Sequence, residues 1–101
     1  MNSEFRTLST AVEFARICQK LPVPKHLREQ LQRSSSSVAL NLAEGSAKDS
    51  KADRYRCYRI ALGSFREAET TLKIADLKQE GLNELTDKLG RQMTKLCQSQ
   101  Y

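Results

Sequence analysis

Arg56, Arg59 and Arg66 recur with Gly63 at helical spacing, and Lys48, Lys51 and Arg54 lie just ahead of them. On one helix such residues share a solvent-side stripe, because positions three and four apart stack over one another. The chemistry that stripe offers is anion binding. Guanidinium forks match phosphate oxygens, and a row of them follows a nucleic-acid backbone with no sequence readout. Other chemistry has little to stand on. His26 is the single histidine, in a basic, polar stretch that marks it as a solvated surface residue. Cys18, Cys57 and Cys97 are isolated from one another, without the close pairs that metal sites use, and read as buried reduced thiols. Glu67 and Glu69 point in different directions on a helix. No nucleophile motif or Gly-rich phosphate loop accompanies them, so the reading is of a protein that is not an enzyme, with no catalytic residue, metal or cofactor.

The elements that carry the stripe follow from the apolar period. Phe5, Leu8, Val12 and Ala15, flanked by Ala11, Phe14, Cys18 and Leu21, predict a first helix over residues 4–20, ended by Pro22 and Pro24. Pro24 then opens a second helix as its first residue. Its inner face carries Leu27, Leu31, Ser34 or Ser35, Val38 and Leu42, and Gly45 is expected as its left-handed stop. The apolar phase runs unbroken through Ser34–Ser37, so these serines belong to the helix. Asp49 or Ser50 is available to cap a third helix, expected over residues 51–79, through Tyr55, Tyr58, Leu62, Phe65 and Leu72 and ended at Gly81. Leu82, Leu85, Leu89, Met93 and Leu96 mark a fourth helix to about residue 98, its second half weakened by Gly90. Four amphipathic helices with short connections predict an all-α, antiparallel up-down-up-down four-helix bundle, a single domain over residues 1–101.

A chain of 101 residues buries only a modest core, so self-association is expected. Leu40 stands outside the core stripe of helix 2, with Arg33, Ser37 and Glu44 on the same outer stripe. Ile60 and Ile74 do the same on helix 3. Together these six predict a subunit interface, since apolar side chains outside the core suggest a second, covered surface. Charge is unevenly placed: residues 1–66 hold twelve Lys/Arg against six Asp/Glu, and residues 67–101 hold five against six, so the net +5 arises in the first two thirds. Glu44, in the last turn of helix 2, needs a cation to offset the helix dipole; Arg33 or Arg59 of the same or a neighbouring subunit is expected to supply it. The N-terminus lacks the pattern of a secretory leader, and no apolar run is long enough to span a bilayer, so a cytoplasmic location with no membrane contact is expected.

Ser37-Val38-Ala39-Leu40-Asn41-Leu42-Ala43-Glu44-Gly45, Arg59-Ile60-Ala61-Leu62-Gly63-Ser64 and Glu67-Ala68-Glu69-Thr70-Thr71-Leu72, in that order and separation, resemble a known family. It is the four-helix-bundle proteins first noticed as reading frames in intervening sequences of 23S rRNA genes, which include the accessory variability proteins of diversity-generating retroelements. The likeness covers nearly the whole chain and is strongest over residues 31–75. It implies an antiparallel bundle assembled as a cyclic homopentamer with a basic surface. For the retroelement branch it further implies binding of DNA or RNA and of a reverse transcriptase as partner. Many relatives have proline where this chain has Ala39, which implies a straighter second helix here. The alternative is a structural or protein-interaction module whose arginines serve subunit contacts.

Overall fold

The computed structural model describes residues 2–100. Four helices run in sequence, α1 (Ser3–Lys20), α2 (Lys25–Ser46), α3 (Lys51–Ala75) and α4 (Leu82–Ser99). Each packs on its sequence neighbours and α4 returns to α1, while the backbones of the diagonal pairs stay apart. With short connections this is the expected antiparallel four-helix bundle, about 40 × 23 × 18 Å.

Helix starts follow local capping. Asn2 Oδ1 accepts from the Phe5 N–H at 2.8 Å, and Ser50 Oγ accepts from the Asp53 N–H at 3.1 Å, so Ser50 is the cap of α3. Pro24 keeps an extended backbone and serves as the cap of α2, one position earlier than expected, and its carbonyl accepts from the Leu27 N–H at 2.9 Å. α3 ends at Ala75, four residues before the expected 79. Asp76 takes the left-handed conformation (φ 49°), which an aspartate tolerates, and the chain then turns so that Leu77 packs on the core. Gly81 (φ 80°) sits at the start of α4, not at the end of α3.

The core face of α1 is Thr7, Thr10, Ala11, Phe14 and Cys18, with both threonine hydroxyls returned to carbonyls one turn back. Phe5 and Val12, expected on the inner stripe, are exposed; the true stripe is rotated toward Ala11 and Phe14. Across the bundle Phe14 meets Phe65 at a centroid distance of 5.8 Å and a tilt of 52°. Ser34 and Ser35 are buried in α2, their hydroxyls bonded to their own helix backbone, as the unbroken apolar phase required.

Gly45 corrects the expectation of a helix stop. It lies inside α2, and its lack of a Cβ is what lets α3 approach. A Cβ there would stand 2.6 Å from Tyr58 Cε1 and 2.9 Å from Cys57 Cβ. Gly90 is likewise a contact residue. α4 stays helical through it to Ser99, and a Cβ would lie 3.3 Å from the Phe65 ring.

Candidate nucleic-acid and subunit-contact surfaces

The basic residues grouped by sequence separate in space. Arg54 turns inward: its Nη1 donates to the carbonyls of Lys48 at 3.0 Å and Asp49 at 2.9 Å, and its Nε donates to Gln100 Oε1 at 2.8 Å. It closes the α2–α3 connection and ties down the end of α4. Lys48 stands 3.9 Å from Glu44, so the cation that answers Glu44 within the chain is Lys48 and neither of the expected arginines. Arg56 pairs with Asp53 at 2.9 Å, and Lys51 is exposed at the start of α3.

Arg59 and Arg66 differ from these. Both are exposed on the α4 side of α3, and neither has a carboxylate within ion-pair distance among the described residues. Arg59 stands near enough to Cys97 to offset in part the upward push that burial gives its thiol. Arg66 lines a groove of about 510 Å³ between α3 and α4, together with Arg91 and Lys95 of α4. Its floor is Leu62, Phe65 and Gly90; Glu69 and Asp87 lie toward its other end. Arg91 and Lys95 also lack carboxylate partners among the described residues.

The outer side of the α2–α3 seam is of another kind. Ser37 and Ser64 share a hydrogen bond of 2.8 Å, and Asn41 Nδ2 donates to Ser37 O at 2.9 Å and Oγ at 3.0 Å. Arg33 pairs with Glu67 at 3.3 Å. The contacts Gly45–Tyr58, Ser37–Ser64 and Arg33–Glu67 set an antiparallel register in which Leu40 and Ile60 stand at one height, 69% and 50% exposed. Ile74 is exposed too, at the far end of α3.

The family model of the 23S rRNA-intervening sequence protein matches residues 6–99, nearly the whole of the four-helix bundle. The chain belongs to this family. No curated protein sequence matches it.

In this family member the structure brings Arg33, Ser37, Leu40, Glu44 and Ile60 onto the outer side of one seam, with Ile74 apart from them. It divides the basic group into an internal clamp (Arg54), two cations paired within the chain (Lys48 and Arg56) and three without a carboxylate partner among the described residues (Lys51, Arg59 and Arg66). The sequence reading missed Arg91 and Lys95. Their signal was a three-to-four spacing on α4, masked by the near-neutral total of the last third.

The buried groups favour stability over chemistry. Burial pushes the Cys18 thiol up to about 12, opposed by its hydrogen bond with Ser35. Burial, then the neighbouring Glu4 carboxylate, pushes the Tyr58 phenol up to about 12. Neither group supplies a nucleophile near neutral pH. Among the described residues no cluster of His, Cys, Asp and Glu could hold a metal ion, and no helix is long and apolar enough to cross a membrane.

Proposed function

We propose that this member of the family is a non-enzymatic, homo-oligomeric accessory protein of the cytoplasm that binds DNA or RNA with little sequence preference. The observation that carries the reading is the set of cations on the α3–α4 side, Arg59, Arg66, Arg91 and Lys95, which are held on two helices without carboxylate partners among the described residues. Unpaired guanidinium and ammonium groups at this density suit phosphates. Lys51 stands exposed at the start of α3. Arg54 drops out of the binding set because its guanidinium is used internally, and Lys48 and Arg56 contribute less because each already faces a carboxylate. Oligomer formation multiplies a weak patch into a strong one. Where a reverse transcriptase is encoded beside the gene, it is the protein partner this reading implies.

Anisotropy titrations of labelled duplex DNA and RNA at several salt concentrations test it. Affinity should fall steeply with salt. Arg66→Ala, Arg91→Ala and Lys95→Ala combined should flatten the slope of log K against log salt by about one unit for each phosphate that is no longer neutralised, multiplied by the copies engaged. Salt-sensitive binding undiminished in that variant would rule out this face.

The second reading, a module whose arginines serve subunit contacts, draws on the exposed leucine and isoleucine of the α2–α3 seam. It predicts loss of assembly before loss of binding when Arg59 is removed.

A further inference from the structure

The cations of the α3–α4 groove do not stop at the crest of α4. A second cleft of about 520 Å³ lies between α4 and α1, and Lys95 lines both openings, so it stands on the ridge that divides them. On the α1 side this cleft is lined by Ser3, Arg6 and Ser9, with Glu13 farther along the same helix. Arg6 is exposed, and like Lys95 it has no carboxylate within ion-pair distance among the described residues. Glu4, the acid nearest to it in the sequence, faces Tyr58 on the other side of α1. At the wall of the cleft Gln92 Oε1 is buried with no hydrogen-bond partner among the described residues, an acceptor that a hydroxyl or amino group seated there would satisfy.

Register along the bundle separates these cations from the acids. In the α1–α4 cleft Arg6 lies toward Lys95 and Glu13 toward Lys88. In the α3–α4 groove Gly90 over the Phe65 ring sets Arg66 level with Arg91, and Glu69 level with Asp87, while Arg59 stands near Cys97. The outward charge of three neighbouring helices therefore changes sign at one height, near Lys88. Toward the end of α4 stand Arg6, Arg59, Arg66, Arg91 and Lys95. Toward its start stand Glu13, Glu69 and Asp87, then Asp76 and Glu80, and Lys73 and Lys78 lie among these carboxylates.

We propose that a phosphodiester strand, DNA or RNA, crosses the bundle transversely, over α3, α4 and α1 in turn, and that the α1–α4 cleft with Arg6 is its second subsite. The proposal rests on the nucleic-acid half of the reading above and adds to it a direction and a third helix. A strand lying along the α3–α4 groove would pass from Arg59 to Glu69 within about 15 Å by the standard rise and meet Asp87 beside it. Both carboxylates repel a uniformly anionic chain. A strand crossing at the height of Lys95 meets cations on all three helices and none of these acids. Packed helices lie about 8–10 Å apart, so the path from α3 over α4 to α1 covers about 16–20 Å. A nucleic-acid strand carries one phosphate per about 3.4 Å of its axis, so about five phosphates cross that width. Arg59, Arg66, Arg91, Lys95 and Arg6 are there to meet them. In the second cleft the hydroxyls of Ser3 and Ser9 add donors for phosphate oxygens, and a sugar hydroxyl or base amino group can donate to Gln92.

The test compares Arg6→Ala, Ser9→Glu, Arg66→Ala and Lys73→Ala in anisotropy titrations over a range of salt, with labelled DNA and RNA of one sequence as separate probes. All four positions are exposed, and circular dichroism checks that each variant remains helical. Arg6→Ala should flatten the slope of log K against log salt as much as Arg66→Ala does, by about one unit for each copy engaged. Ser9→Glu, which puts an anion into the cleft without removing a cation, should weaken binding several-fold, and Lys73→Ala should bind as the parent does. A parent-like slope in Arg6→Ala, or undiminished affinity in Ser9→Glu, overturns the crossing. So does a flattened slope in Lys73→Ala, which would lay the strand along the groove. Equal losses with both probes uphold the cleft as a phosphate site, and larger losses with RNA uphold it as one that also holds the 2′-hydroxyl. Arg66→Ala with a parent-like slope removes the α3–α4 reading itself, so the two failures are distinguishable.

Discussion

The two seams flanking α3 are built on opposite plans. Between α2 and α3 the backbones come close over Gly45, Ser37 bonds Ser64, and the charges are paired, Arg33 with Glu67 and Arg56 with Asp53. What remains exposed there is apolar, Leu40 and Ile60. Between α3 and α4 an open groove remains, and its cations have no carboxylate partner among the described residues. One helix thus serves a tight, charge-neutral side and a loose, charged side. The difference teaches that a helix's cation content says little about binding until each charge has been matched to its neighbours.

The largest effect expected is on the tight side, from alkaline pH. Tyr58 packs under Gly45, and Cys18 is bonded to Ser35 on the α1 side of α2. Both pKa values are raised in the folded chain to about 12, from ordinary values of 10.0 and 9.0. The folded state therefore keeps protons that the unfolded chain releases. The stabilisation is complete below about pH 9 and is lost as pH rises through 12. Urea midpoints measured from pH 8 to pH 12 under reducing conditions should fall across that window. A flat profile would mean that neither group is held protonated by packing.

Next come the two glycines that set the seams apart. At Gly45 an added Cβ meets the Tyr58 ring at 2.6 Å and the Cys57 side chain at 2.9 Å, so the helices must separate. Gly45→Ala should cost about 1–3 kcal/mol through overpacking, read by urea unfolding. Gly90 faces a ring at 3.3 Å, which yields by a few tenths of an ångström, and alanine is the better helix former by about 1 kcal/mol, so Gly90→Ala should be close to neutral. Equal effects at the two positions would erase the distinction between a tight and a loose seam.

The architecture was legible because the 3.6-residue period survives even Ser34–Ser37, and four such stripes admit few arrangements. What the period could not resolve was the exact side of α1. Phe5 and Val12 compete with Ala11 and Phe14 for the inner face, and the neighbouring helices decide in favour of the latter. Gly45 was visible as a special residue, but its reason was not. A glycine near a helix end reads as a stop, whereas here the demand comes from Tyr58 across the seam. The basic group was found in α3 and missed in α4. Pairing depends on which side chains meet in space: Arg54 finds two carbonyls and a glutamine, Arg66 finds Arg91 and Lys95 across a groove, and neither outcome is written in spacing along one helix.

The smallest effect separates a pair that serves the fold from one that serves assembly. Glu44 lies in the last turns of α2, where the dipole disfavours a carboxylate, and its answer within the chain is Lys48 at 3.9 Å. Both side chains are well exposed, so their attraction contributes at most about 1 kcal/mol. Glu44→Gln should therefore leave the unfolding midpoint almost unchanged in dilute solution, where subunits are separate. If Glu44 instead answers Arg59 of another copy, the same substitution should loosen the assembly, and the melting temperature should drop increasingly below that of the parent as concentration rises. A single, concentration-independent shift would assign Glu44 to the fold alone and leave the exposed leucine and isoleucine to hold the subunits together.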